Sequence, residues 1–136
     1  MGYLLDTNII SDLVDHRFGG RVGERLAALR EQGETDIVTS IVVAAELRFG
    51  AAKRRSSRLT RRIEEVLGAV DVLPLEAPAD AVYARLRAEL EHEGRPLGGN
   101  DLLIAAHALA GGHTLVTADG GFDRIAGLPR ENWLAA

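Results

Sequence analysis

The chain has 136 residues, 46% hydrophobic and 26% charged, a formal net charge of −4 and no cysteine, which excludes disulfides, thiolate zinc sites and cysteine nucleophiles. That length suits one domain, residues 1–136, able to bury its own core, and the acidic balance means that a nucleic-acid partner must be met by a local patch. No apolar run reaches the length of a membrane span and the first residues lack the basic region and cleavage site of a signal peptide, so a cytoplasmic protein without membrane association is expected.

Tyr3-Leu4-Leu5 has strand character, and Ile9, Ile10, Leu13 and Val14 follow at helical spacing. Asp6 falls where the buried strand hands over to the helix, the edge at which parallel sheets bind ligands. Taken alone it is a helix N-cap; chemistry there depends on other carboxylates reaching the same edge. Gly19-Gly20 breaks the chain, and Val22, Leu26 and Leu29 mark one face of a second helix ending near Gly33. Asp36 to Thr39 reads as a strand, and Ser40 caps a helix from Ile41 to about Ala52. Within that helix Glu46 has Val42, Val43, Phe49 and Gly50 one turn away. A carboxylate on an apolar stripe is costly unless paired or bound to a metal. The alternative is a Glu at the stripe's edge, in solvent or paired with Arg48 or Arg25.

The run from Lys53 to Arg62 holds six cations (Lys53, Arg54, Arg55, Arg58, Arg61, Arg62) and no anion. It is either a solvated helix face, partly neutralised by Glu64-Glu65, or the strongest positive patch of an acidic chain. It leads into a helix with Leu59, Ile63, Val66 and Leu67 inward. Val70 to Leu75 reads as a third strand closed by Pro74. The next helix runs from about Pro78 to Glu93, with Ala81, Val82, Leu86 and Leu90 on its buried face and Gly94-Arg95-Pro96 as its stop.

Gly98-Gly99 permits a tight turn, Asn100 is the expected N-cap, and Asp101 falls in the first turn of a short helix that is almost wholly apolar and therefore buried. The helix dipole alone would favour an acid at Asp101. His107 lacks a second histidine at ligand spacing and reads as a packed, hydrogen-bonded side chain. Thr114 to Thr117 is the last clear strand, and Asp119 leaves it in a Gly-rich turn, where it also has the structural role of a turn residue. A short helix from Phe122 to Ile125 and an edge strand or cap before Trp133 complete the chain.

Alternating strands and helices imply an α/β fold with a mainly parallel central sheet and helices on both faces. Asp6, Glu46, Asp101 and Asp119 then approach one edge. Two such charges about 4 Å apart repel by about 4 kcal/mol at an effective dielectric of 20. A hard divalent ion relieves this, and Mg²⁺ suits a carboxylate site without cysteine or paired histidine. Such a site supports phosphoryl chemistry.

Leu5-Asp6-Thr7-Asn8, Ala44-Ala45-Glu46-Leu47, the stretch from Asn100 to Ala108 and Val116-Thr117-Ala118-Asp119 resemble, in order, the motifs of PIN domains. More narrowly the chain is similar to the VapC toxins of bacterial toxin–antitoxin modules, a similarity extending to Arg87-Ala88-Glu89-Leu90, Glu93-Gly94-Arg95-Pro96 and Glu131-Asn132-Trp133. The resemblance implies a three-layer PIN-like domain that acts as an Mg²⁺-dependent endoribonuclease, with Mn²⁺ a substitute, cutting RNA such as transfer RNA to stop translation. It implies a VapB-type antitoxin as partner and a homodimer. Residue by residue, Asp6 and Asp101 match the principal metal ligands, Glu46 the third acid and Asp119 a fourth position that varies between acid and Asn. Asn8 and Thr117 match polar supports. Lys53, Arg54, Arg55 and Arg58 are the candidate RNA contacts. The alternative is a catalytically silent PIN-like module that only binds RNA or protein. A phosphoacceptor receiver is set aside, because it needs an acceptor Asp after the third strand and a Lys after the last, whereas that strand ends Val72-Leu73-Pro74-Leu75 and the chain's one Lys is Lys53.

Overall fold

The computed structural model describes residues 2–135, and among them the chain alternates strands and helices. The order is β1 (Tyr3–Leu5), α1 (Thr7–His16), α2 (Arg21–Glu31), β2 (Ile37–Ser40), α3 (Ile41–Arg54), α4 (Ser57–Ala69), β3 (Asp71–Leu73), α5 (Ala79–His92), α6 (Gly99–Gly111), β4 (Thr114–Val116) and β5 (Arg130–Glu131), with a 3-10 helix at Gly120–Arg124 between the last two. The strands form one sheet in the order β3-β2-β1-β4-β5, every pairing parallel. From β1 the chain winds outward through β2 to β3, then crosses back to β4 on the other side of β1. Right-handed crossovers therefore place α1 to α4 on one face and α5 with α6 on the other, giving three layers. The winding direction reverses between β1 and β4, and the crevice beyond the carboxyl ends of those two strands is where such folds bind ligands.

The central strands are short and buried on both faces, as a helix-covered parallel sheet requires: Leu4, Leu5, Leu115 and Val116 have no solvent exposure. In α1, Asp6 caps the first turn, and Ile9, Ile10, Leu13 and Val14 turn the buried face to the sheet. Truncating one of these fully buried side chains to Ala costs about 2–5 kcal/mol. The helix ends earlier than the glycine pair: Arg17 and Phe18 both take positive φ, at 49° and 67°. Gly23 is needed in α2 because a β-carbon there would overlap the Phe18 carbonyl.

Several boundaries differ from expectation. β3 is confined to Asp71–Leu73, since it is an edge strand paired only with Val38 to Ser40. β2 lies one residue later than read and includes Ser40, which also caps α3 by accepting the Val42 N–H at 3.1 Å. Asn100 is not the cap of α6. The helix begins at Gly99 with Gly98 as cap, and the Leu102 N–H donates to the Gly98 carbonyl at 2.9 Å. On α5, Ala79 rather than Ala81 is buried, beside Leu86 and Leu90. The last short helix is a 3-10 turn that starts at Gly120 instead of Phe122.

Candidate active site

Asp6 directly follows β1, caps α1 and is only 4% exposed. Its Oδ1 accepts the Thr7 N–H at 2.7 Å, and its Oδ2 accepts the Thr117 hydroxyl at 2.7 Å and the Asn8 amide at 3.5 Å. Burial raises its pKa above the ordinary 3.8; the Thr117 and Thr7 bonds oppose the shift, and the charge of Asp119 adds to it. These bonds join neighbouring strand ends. Thr117, one residue past β4, also accepts the Asp119 N–H at 3.0 Å, and the Asn8 side-chain Oδ1 accepts the Ala118 N–H at 3.1 Å. Thr39 donates to the Leu5 carbonyl at 2.6 Å and holds β2 against the end of β1.

Glu46 is the sixth residue of α3 and lies at the border of its buried face, which consists of Val43, Ala44, Leu47 and Ala51. Phe49, read as part of the apolar stripe around Glu46, is instead 67% exposed. Glu46 pairs with neither arginine considered for it. Arg48 binds Glu64 at 2.8 Å, and Arg25 lies 3.5 Å from Glu131. The Glu46 carboxylate accepts the Thr7 hydroxyl at 3.2 Å. Burial raises its pKa, the Thr7 bond lowers it, and the charges of Asp6 and Asp101 raise it again. Thr7 is a site residue that sequence reasoning passed over. Its place in the first turn of α1 is legible, but nothing local shows that Glu46, 39 positions on, will stand opposite it.

Asp101 is the third residue of α6 and half-buried. Burial raises its pKa, reinforced by the charges of Asp6 and Asp119 and opposed by no hydrogen bond. Asp119 caps the 3-10 helix by accepting the Gly121 N–H at 2.8 Å, so its structural role is real, yet its charge is felt at both Asp6 and Asp101. The four acids thus share one edge, Asp6, Glu46 and Asp101 each feel the charge of an acidic neighbour, and no arginine, lysine or histidine forms an ion pair with any of the four among the described residues.

This donor set fits a hard cation. Every group is a carboxylate oxygen or a neutral hydroxyl or amide, and three of the acids are pushed toward protonation when no cation compensates them. Among the described residues no group of three or more acidic or imidazole side chains closes on a single point.

His107 sits outside this constellation, within α6. Its Nδ1 lies 2.8 Å from Ser40 Oγ, and burial lowers its pKa, with the charge of His113 adding and the Pro74 carbonyl opposing. Ser40 Oγ already accepts the Val42 N–H, so its own hydrogen is free for Nδ1 of a neutral ring. Of the candidate RNA contacts, Arg54 lines a cleft of about 310 Å³ together with Thr7, Ser11, Glu46 and Gly50; Lys53, Arg55 and Arg58 are exposed but not part of that lining.

Comparison with known proteins accords with this geometry. The PIN domain family model matches residues 3–128. The chain is 35% identical over 135 residues to Ribonuclease VapC2 of Rickettsia felis, covering 98% of each protein. It is 36% identical over 133 residues to the tRNA(fMet)-specific endonuclease VapC of Shigella flexneri, covering 96% of this chain and 97% of that one. The crystal structure of VapBC2 from Rickettsia felis bound to a DNA fragment from its promoter superposes with a TM-score of 0.87 at 34% identity, over 98% of this chain and 99% of that one. PIN-domain nucleases work with a divalent metal ion, in keeping with the acidic edge described above. The chain belongs to the PIN-domain family and, within it, to the VapC ribonucleases.

Proposed function

We propose that this protein is an Mg²⁺-dependent endoribonuclease, the toxin of a type II toxin–antitoxin module, that hydrolyses phosphodiester bonds in RNA, with transfer RNA the favoured substrate class. The observation that carries this reading is the group of four carboxylates at the β1/β4 switch point, three of them raised by burial and by acidic neighbours, with no ion pair to a protein cation among the described residues. The relatives named above as ribonuclease and tRNA(fMet)-specific endonuclease support the substrate class.

Asp6 and Asp101 are the residues that would hold the ion, with Glu46 and Asp119 binding it or its waters. Mg²⁺ bound there supplies water of lowered pKa and neutralises charge developing on the phosphate. The chain's own residues set the geometry. Thr117 and the Thr7 N–H point the two oxygens of Asp6, the Thr7 hydroxyl aims Glu46, and Asn8 ties the first turn of α1 to the turn after β4. Glu46 or Asp119 would be the group that accepts a proton from the attacking water. Arg54, in the cleft shared with Glu46, meets the RNA backbone on one side, while Lys53, Arg55 and Arg58 steer it from farther out.

A VapB-type antitoxin and a second copy of the chain are the proposed partners. The solved VapBC complex of the Rickettsia relative supports the first. An exposed apolar stripe on α3, Ile41 at 47% and Phe49 at 67% exposure with Ala45 between them, supports a covered surface that the sequence did not reveal. Light scattering should show a dimer; a strict monomer at high concentration would contradict it. No described helix is long and apolar enough to cross a membrane, and the proposed site of action is the cytoplasm. Cleavage of a mixed RNA pool should require added Mg²⁺ or Mn²⁺, and unchanged cleavage after exhaustive chelation would refute the proposal.

A further inference from the structure

Asp101 and Asp119 belong to different elements, and neither α6 nor the 3-10 helix is pinned by the hydrogen bonds around Asp6 alone. The start of α6 has no side-chain cap: Gly98 holds the cap position, and Gly98 and Gly99 offer the backbone little restraint. Asp101 follows three residues after Gly98, in the first turn of α6, so the loop joins the helix at the acid's own turn, while the buried residues from Leu102 onward anchor the rest of the helix. One contact anchors that loop to the other acid's element. Arg124, the last residue of the 3-10 helix, donates from Nη1 to the Pro96 carbonyl at 2.7 Å. The loop's Leu97 lies against Gly121 of the same 3-10 helix, where a β-carbon would come within 3.5 Å of Leu97 Cδ1. At its other end this helix is fixed by Asp119, which accepts the Gly121 N–H at 2.8 Å.

We infer that Arg124 is a positioning residue: through its bond to the Pro96 carbonyl it sets Asp101 at a fixed place relative to Asp119. The loop leaves α5 at His92 and enters α6 at Gly99, a span with three glycines, Gly94, Gly98 and Gly99, before the acid. The Arg95 N–H bond to the Leu90 carbonyl ties the loop back to α5 and Leu97 packs on the core, while the Arg124 bond is the side-chain hydrogen bond that ties it to the 3-10 helix. Arg124 is exposed and acts by geometry, since its guanidinium is spent on a backbone carbonyl and forms no ion pair with an acid among the described residues. The consequence for catalysis rests on the ribonuclease reading above; the consequence for the loop does not.

The test compares Arg124→Met, which keeps the stem and removes the donors, with Arg124→Lys, which keeps one donor and the charge. The amides of Gly99, Asn100 and Asp101 have no intrahelical acceptor, so the first informative amide is Leu102, bonded to the Gly98 carbonyl. In Arg124→Met the exchange rate of the Leu102 amide should rise about tenfold while the melting temperature falls by no more than about 4 °C. The Mn²⁺ concentration needed for half-maximal thermal stabilisation should rise, and kcat for RNA cleavage should fall about tenfold or more with KM changed less than about twofold. Arg124→Lys should recover part of each loss. Unchanged Leu102 exchange would overturn the inference. So would a raised KM and a flatter salt dependence at constant kcat, which identify a direct phosphate contact. If the wild-type protein cuts no RNA, the ribonuclease reading fails, and the exchange and Mn²⁺ measurements still decide the role of Arg124.

Discussion

Thr117 donates its hydroxyl hydrogen to Asp6 Oδ2 at 2.7 Å, joining positions 111 residues apart at the reversal point of the sheet. Thr117 Oγ1 in turn accepts the Asp119 N–H, so one side chain orients the acid that follows β1 and the backbone of an acid beyond β4. Thr117→Val keeps the shape and removes both bonds. Leaving buried partners unsatisfied costs about 1–3 kcal/mol. Losing the orientation of a metal-binding carboxylate lowers activity by about 10–100-fold. Because the lost bond is one that depresses the Asp6 pKa, the acid limb of the pH–rate profile should move to higher pH. Thr117→Ser should restore the profile; a Val variant with an unmoved acid limb would show that the hydroxyl only packs.

The raised carboxylates make a signed prediction for pH. In the unfolded chain Asp6 and Asp101 titrate near 3.8 and Glu46 near 4.5, and folding raises all three. The metal-free native state therefore holds its protons more tightly than the unfolded state. These groups contribute their stability at low pH, and it is lost as pH rises from those ordinary values through the folded ones. His107 acts in the opposite sense: its pKa is lowered from 6.5, so its contribution is lost as pH falls below that value. The two effects separate in a melting series with EDTA. Asp101→Asn should remove part of the loss on raising pH and leave the His107 limb in place, whereas Mg²⁺ should cancel the carboxylate loss. Identical melting profiles for the wild type and Asp101→Asn would mean that the acids do not interact.

Arg54 and Arg58 should differ although both belong to one basic run. Arg54 lines the cleft with Thr7 and Glu46; Arg58 stands in the first turn of α4, exposed and outside that lining. For single-stranded RNA each phosphate contact contributes about 0.7 to the slope of log affinity against log salt. Arg54→Gln should weaken binding and reduce the slope by about that amount, and Arg58→Gln should do less. Equal effects, measured by salt titration of binding in EDTA, would assign the run to diffuse steering alone.

What could be read from sequence follows from which signals are local. Asp6 and Asp101 were legible because each sits where an apolar segment of known period begins or ends, and Asp119 because a Gly-rich turn follows a β-branched strand. The pairing of Thr7 with Glu46, or of Arg124 with Pro96, was not, because both contacts arise only when separate elements pack. The misplaced cap at Asn100 has a local cause: Gly98-Gly99 lets the helix start two residues early, without a side-chain cap. Ala81 is expected inward and Ala79 is found there instead, because alanine carries too little apolar surface to fix the phase of a helix. The residue type of Phe49 suggests an inward place, but the buried face of α3 runs through Val43, Leu47 and Ala51 and leaves Phe49 in solvent.

The most direct test of the metal-dependent site is Asp101→Asn, because the Asp101 carboxylate is raised by burial and by its acidic neighbours with no opposing hydrogen bond. The substitution keeps the shape and removes the charge. Single-turnover RNA cleavage with Mg²⁺ and melting without metal should be measured on the same preparation. Cleavage should fall by orders of magnitude, because the ion and the water it activates lose a ligand. Metal-free stability should hold or rise as repulsion in the acidic group is relieved. Near-wild-type cleavage in a destabilised Asp101→Asn protein would contradict the assignment and leave Asp101 as an ordinary first-turn acid favoured by the helix dipole.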